Sequence, residues 1–172
     1  FEDVVVEFAL SGEHLYLLSK KTASGGRVLQ TSATTPDLAA ASAIALPGEP
    51  VIESILPTRE GLLVRTIDGA SSGLWQVPAG GVAGQLALPF DGQVSWMQAM
   101  TGWFTPSTVF RLDVDSGRMQ DLALVPPLPF DTGGYEARRA LVTARDGTRV
   151  PYTVVVKKGV AMDVDTPVLL EA

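Results

Sequence analysis

No cysteine occurs among the 172 residues. Disulfides, thiolate metal sites and a cysteine nucleophile are therefore excluded together. The compartment stays open between cytoplasm and periplasm, because reduced and oxidised locations both tolerate such a chain. Basic residues are outnumbered, 13 Lys and Arg against 19 Asp and Glu, for a formal charge of −6. That balance argues against nucleic acid or an anionic membrane as the main partner. No uninterrupted apolar run approaches the ~18 residues a spanning helix needs. Histidine occurs once, at His14. Helical periodicity is nearly absent too, and only Asp37 to Ala43 could form a turn of helix or a loop. The chain opens Phe1-Glu2-Asp3 with neither an initiator Met nor a signal peptide, and it stops in the apolar run Val168-Leu169-Leu170. Both ends read as cut from something longer.

What is present is a core-forming composition, 46% apolar, with 17 Gly and 12 Pro to make turns. Short β-rich runs separated by Gly, Pro, Asp or Ser clusters predict antiparallel strands and hairpins. The runs are Val4–Leu10, His14–Ser19, Arg27–Ser32, Val51–Leu56, Leu62–Ile67, Leu74–Val77, Gln93–Met97, Val109–Val114, Leu141–Thr143 and Val150–Val156.

Several of these runs repeat. His14–Ser19 aligns with Gly61–Thr66, and Gly26–Thr31 with Ser72–Val77. A fourth run, Ala43–Pro47 and then Gln85–Pro89, closes each unit. The offsets of roughly 42–47 residues are those of four-stranded propeller blades. A third unit begins near Gln93, and its Val109–Asp113 aligns with Leu74–Pro78. Its offset of about 35 is short for a blade. Either the second strand is truncated before Trp103 or a loop is missing there. A β-sandwich whose hairpins resemble one another by accident is the competing architecture, since its strands are also closely spaced. Three such units cannot close a ring, because propellers usually have about 4–8 blades.

Candidate chemistry is sparse. Gly69-Ala70-Ser71-Ser72-Gly73 fits the G-x-S-x-G elbow of α/β-hydrolases, but that motif needs a helix after it and a histidine further downstream. Leu74–Pro78 reads as a strand, and His14 lies upstream, so a hairpin loop is the expectation. His14 alone, at a strand start, suits a structural role better than a general base or metal ligand. Asp113/Asp115 and Asp163/Asp165 lack the further oxygen ligands of a calcium loop. Trp75 aligns with Leu29 and Phe110 and should pack between units, while Trp96 and Trp103 could pack or line a ligand surface. No P-loop, dinucleotide fingerprint, zinc spacing or basic stripe is present. No catalytic, cofactor-binding or metal residue is assigned, and no cofactor is expected.

From Trp103 onward the sequence resembles the prolyl oligopeptidase family of serine peptidases. Thr105-Pro106, then Phe110-Arg111-Leu112-Asp113 and Ser116-Gly117, look like that family's last-blade pattern. Phe130-Asp131 and Tyr135-Glu136 resemble its crossing between domains. Thr143 to Pro151, Val154 to Gly159 and Thr166 to Leu170 resemble the first strands of its α/β-hydrolase domain. Asp146-Gly147 is also a strong two-residue hairpin signal, and the Val154–Val156 run suits a strand covered on both faces.

The resemblance implies an all-β chain for most of its length. Residues 1–128 would be a partial propeller of about three four-stranded blades (1–47, 48–90 and 91–128), and residues 129–172 the start of the peptidase domain. It implies a parent enzyme that hydrolyses short peptides with a Ser-His-Asp triad lying beyond Ala172, under a propeller cap that excludes folded proteins. The partners would be short peptides and the rest of that domain, with neither nucleic acid nor membrane. The chain by itself would be inert. The alternative is a stand-alone propeller or sandwich binding module without catalysis.

Overall fold

The computed structural model describes residues 4–21, 23–95, 99–163 and 166–170. Fourteen strands and no helix form among them, and the chain divides into two compact units, Phe1–Pro127 and Leu128–Ala172.

The first unit holds three four-stranded antiparallel sheets. The first contains β1 (Val5–Ser11), β2 (His14–Ser19), β3 (Arg27–Ser32) and β4 (Ser42–Ile44), in the order β1-β2-β3-β4. The second contains β5 (Val51–Thr58), β6 (Gly61–Asp68), β7 (Ser71–Pro78) and β8 (Gly84–Gln85), in the same order. The third contains β9 (Gln93–Ser95), β10 (Ala99–Thr101), β11 (Thr108–Asp113) and β12 (Arg118–Asp121), again paired successively. This is the meander of a propeller blade, three times over. Among the described residues the three sheets do not close into a ring.

The repeat read from sequence is a repeat of ladder register. Leu17 stands opposite Leu29 in the first sheet, and Val64 opposite Trp75 in the second. Leu18 faces Val28 as Arg65 faces Leu74. The two leading strands even share an irregularity. The register slips between Val5 and Glu7 in β1, and between Ile52 and Ser54 in β5, so Val6 and Glu53 are the extra residues of two bulges at the same place.

The core lies between the first two sheets. Ala9, Tyr16, Leu18 and Val28 from one face meet Ile52, Ile55, Leu62, Val64, Trp75 and Val77 from the other. Alternation along each strand puts these residues on one side of its sheet. Polar contacts then fix the two sheets. Lys20 Nζ donates to the Ile52 carbonyl at 2.7 Å, and Ile52 N–H donates to the Gly25 carbonyl at 2.7 Å. The Glu7 carboxylate accepts the Ile55 N–H at 2.9 Å, and Ser11 Oγ donates to the Thr58 carbonyl at 2.7 Å.

The second seam uses contacts of the same kind from different positions. Arg65 donates to the Val94 carbonyl at 2.9 Å, and Val94 N–H donates to Ser72 Oγ at 3.0 Å. Its packing is thinner, with a gap of about 20 Å³ among Leu74, Val94, Met100, Phe110 and Leu112. Phe90 and Phe110 meet beside it as tilted rings 6.1 Å apart.

The short third offset coincides with β10, a three-residue strand that pairs with β11 through Ala99–Val109 and Met100–Thr108. The second strand of the unit is thus present and short among the described residues. Trp96 and Met97 of the expected strand lie outside the described residues. No helix forms over Asp37 to Ala43. The Asp37 carboxylate instead accepts the N–H groups of Ala39 and Ala40, a side-chain turn that competes with helix formation.

The second unit is a long hairpin, β13 (Tyr135–Thr143) paired with β14 (Arg149–Lys157). Asp146-Gly147 does sit at its tip, in a five-residue connection over 144–148 rather than a two-residue turn. The Asp146 carboxylate accepts the Thr148 N–H, and Gly147 takes φ +88. Val155 is exposed and Val154 and Val156 half-buried, because two strands offer no layer to cover either face.

Candidate functional site

Gly69-Ala70 is the tight turn of the β6–β7 hairpin, and Gly69 takes φ +61 to make it. Ser71 begins β7 opposite Asp68, and Ser72 Oγ accepts the Val94 N–H. Gly73 stands within the strand, where a Cβ would lie 2.5 Å from Thr66 Oγ1. A strand follows Ser71 instead of a helix, so the strained strand-to-helix geometry that exposes a nucleophilic serine is absent here. The glycines of this motif serve a turn and a close side-chain approach.

His14 opens β2 opposite Ser32. Its Nδ1 lies 3.0 Å from Gln30 Nε2, and its ring is tilted against Tyr16 at 6.1 Å. Among the described residues this half-buried imidazole is recorded against an amide and a phenol ring, and the chain has no second histidine to work with it. Tyr16 itself is 0% exposed, and burial pushes its phenol above the ordinary value. Its hydroxyl finds no partner among the described residues. The matching slot in the second sheet is Leu63, so the position is apolar in kind.

The acidic pairs are used locally. The Asp113 carboxylate accepts the Ser116 N–H at 2.9 Å and its hydroxyl at 2.8 Å, closing the β11–β12 turn. The Ser116 N–H, then the hydroxyl, hold Asp113 below its ordinary pKa. Asp163 takes Thr166 Oγ1 at 2.9 Å, while Asp165 lies outside the described residues. Glu136 pairs with Arg138 on the exposed hairpin, and the hydrogen bond from that guanidinium lowers its pKa. Among the described residues no three His, Asp or Glu side chains gather to hold a metal ion, and no helix is long and apolar enough to cross a membrane.

The aromatic candidates divide. Trp75 is buried in the first seam, and its indole N–H donates to Thr66 Oγ1 at 3.1 Å. Trp103, in the β10–β11 connection, is 55% exposed. Trp96 lies outside the described residues. Sequence reasoning missed the residues that join the sheets, Lys20, Glu7 and Arg65. Two clasp backbone carbonyls and one a backbone N–H, and such partners leave no motif.

No family model matches the chain. Curated relatives do. The chain is 38% identical over 71 residues to an uncharacterized peptidase of Sinorhizobium fredii, covering 41% of this chain and 10% of that protein. It is 30% identical over 112 residues to the prolyl endopeptidase of Elizabethkingia miricola, covering 65% of this chain and 14% of that enzyme. Among solved structures, a prolyl endopeptidase aligns with TM-score 0.76 at 21% identity, over 90% of this chain and 24% of that one. Oligopeptidase B from Trypanosoma brucei aligns with TM-score 0.68 at 18% identity, over 94% and 26%. The chain thus spans only a tenth to a seventh of these two curated relatives. Its three repeated sheets are those of a propeller domain. In sequence and in fold, the chain matches the prolyl oligopeptidase family of peptidases.

Proposed function

We propose that the chain is part of a serine peptidase that hydrolyses short peptides, and that its triad lies outside residues 1–172. The three sheets contribute to a propeller that caps the active site and turns away folded proteins. Residues 129–172 make the crossing and the first strands of the α/β-hydrolase domain, which the rest of that domain would cover. Ser of the triad would attack the peptide carbonyl with His as base and Asp orienting it, while an oxyanion hole stabilises the tetrahedral intermediate. In this reading residues 1–172 are inert alone and supply size selection.

The observation that carries the reading is one of order. Three successive four-stranded meanders, the first two of matching register, are followed in the same chain by the hairpin Tyr135–Lys157. The exposed apolar side chains of that hairpin, Val142, Val150 and Tyr152 on one face, are what a strand pair awaiting a covering layer would carry.

The test is fluorophosphonate labelling of the full-length protein, with peptide mapping of the adduct. The expected result is one labelled serine outside residues 1–172, together with cleavage of short peptides and not of a folded protein. An unlabelled protein that cleaves nothing would overturn the proposal in favour of a binding module without catalysis.

A further inference from the structure

Each sheet turns from its second strand to its third at the corresponding edge, and the third sheet does so unlike the second. β6 and β7 join through Gly69-Ala70, small residues of the kind such a tip favours. Between β10 and β11, Gly102 and Thr105 exchange backbone hydrogen bonds at 3.1 and 3.4 Å, so the two residues of the tip are Trp103 and Phe104. Turn chemistry asks for neither ring. Phe104 is half-buried, but Trp103 stays 55% exposed, whereas Trp75 keeps its ring in the core. Local rules are broken in this way where a residue serves a ligand.

The tip stands on a fitted base. Phe90 lies against it: a Cβ on Gly102 would come 3.2 Å from that ring, and one on Gly92 would come 3.1 Å from the ring and 2.3 Å from the Thr101 carbonyl oxygen. The Phe90 ring in turn meets Phe110 at 6.1 Å. Two carboxylates belong to the same edge. Asp91 adjoins Gly92, and its carbonyl oxygen would lie 3.3 Å from a Cβ on Gly102. The Gly92 carbonyl accepts the Ser72 N–H at 2.8 Å, which brings in the β6–β7 tip, where Asp68 stands opposite Ser71. Both Asp68 and Asp91 are exposed. Residues 1–127 carry the whole formal charge of −6, with seven Lys or Arg against thirteen Asp or Glu. An indole face beside carboxylates, in a body of that sign, suits a cation.

We propose that Trp103 is a contact for a Lys or Arg side chain of a bound peptide, with Asp91 and Asp68 drawing that charge toward the indole. A ring already fixed by its hairpin loses little freedom when a ligand arrives. β12 returns to this edge, where Asp121 pairs with Phe110 near the start of β11, so the chain leaves the third sheet here. The inference rests on the peptidase reading above and deepens it: the propeller selects peptides by charge as well as by size. The contact acts on binding and has no part in the chemical step.

Fluorescence anisotropy on the full-length protein tests it, after fluorophosphonate treatment to stop hydrolysis of the probe. The probe is a dye-labelled hexapeptide with one internal lysine, compared with its norleucine counterpart, which keeps the stem and lacks the ammonium. The expected result is about fivefold tighter binding of the lysine peptide, a preference that high salt reduces. Trp103→Ala should bring the preference below about twofold, and Trp103→Phe should keep part of it. Val82→Ala, in the exposed β7–β8 connection at the opposite edge, should leave the preference in place. Equal affinity for the two peptides, or none for either, would overturn the inference. So would a preference that survives Trp103→Ala. The peptidase reading fails separately, if the untreated protein cleaves neither peptide.

Discussion

Replacing Arg65 with Met should open the second seam while leaving the second sheet standing. The guanidinium makes three contacts. It donates through Nε to Ser54 Oγ at 3.1 Å, through Nη1 to the Val94 carbonyl at 2.9 Å, and it meets Glu53 Oε2 at 2.8 Å. Only the second joins two sheets. A hydrogen bond from a charged group contributes about 1.5–3 kcal/mol. The Glu53 pair is a quarter to a third exposed, so water screens it and about 0.2–1 kcal/mol is its share. The Ser54 bond adds about 0.5–1.5 kcal/mol. The contacts share one side chain and are not additive, so the loss should be about 2–4 kcal/mol. The methionine keeps most of the apolar stem, which removes packing loss from the comparison. Urea denaturation gives the total, and hydrogen exchange at Gln93–Ser95 reports the seam. Arg65→Lys should recover part of the stability, since an ammonium reaches one acceptor well but cannot span three. Glu53→Gln should cost less than about 1 kcal/mol. A loss under about 0.5 kcal/mol for Arg65→Met, or a larger one with exchange at Gln93–Ser95 unchanged, would refute the clasp.

Gly61 and Gly12 offer a contrast at two hairpin positions. A Cβ on Gly61, at φ +153, would lie 2.1 Å from the Val77 carbonyl oxygen, whereas one on Gly12, at φ +56, meets nothing within 4 Å. Gly61→Ala should cost about 2–6 kcal/mol from strain plus overpacking, and Gly12→Ala about 1–2 kcal/mol; equal costs in urea melts would be inconsistent with this. Asp113 and Asp146 both have folded pKa values below the ordinary ones, through the Ser116 and Thr148 backbone N–H groups. Their contribution is therefore present above the unfolded pKa and lost as pH falls through the folded one. Asp113→Asn with Asp146→Asn should flatten the stability loss below about pH 4; an acid limb identical to that of the parent chain would contradict it. Ser71→Ala in the full-length protein should label with fluorophosphonate as strongly as the unsubstituted protein, and loss of labelling would return Ser71 to the list of nucleophiles.

The strands were legible because this fold puts its information in nearby residues. His14–Ser19 and Arg27–Ser32 are short β-rich runs set off by Gly and Ser, and both form at those limits. What escaped depends on partners far along the chain or on backbone atoms. β12 is Arg118–Asp121, polar throughout apart from Met119, and exists because β11 offers it an edge. β10 is too short to leave a period. The bulges at Val6 and Glu53 leave no signature in residue type, since one is apolar and the other acidic. Lys20, an ordinary surface lysine by sequence, reaches a carbonyl 32 residues away. The site reading had the opposite difficulty. G-x-S-x-G is a clear string in the wrong setting, and only the strand after it, Ser71–Pro78, decides against it.

The meander order of each sheet has a consequence for how the protein is made. Every ladder in the three sheets joins consecutive strands, so pairing within a sheet needs only chain already synthesised nearby and closes small loops. The contacts between sheets come one repeat later. During translation each sheet can therefore take shape soon after its fourth strand clears the ribosome, with its downstream face bare until the next repeat arrives. Lys20 is synthesised before the carbonyl it will clasp, and Arg65 likewise. The growing end of the molecule is thus always an adhesive surface, and the rate of elongation sets how long each one stays open to a wrong partner.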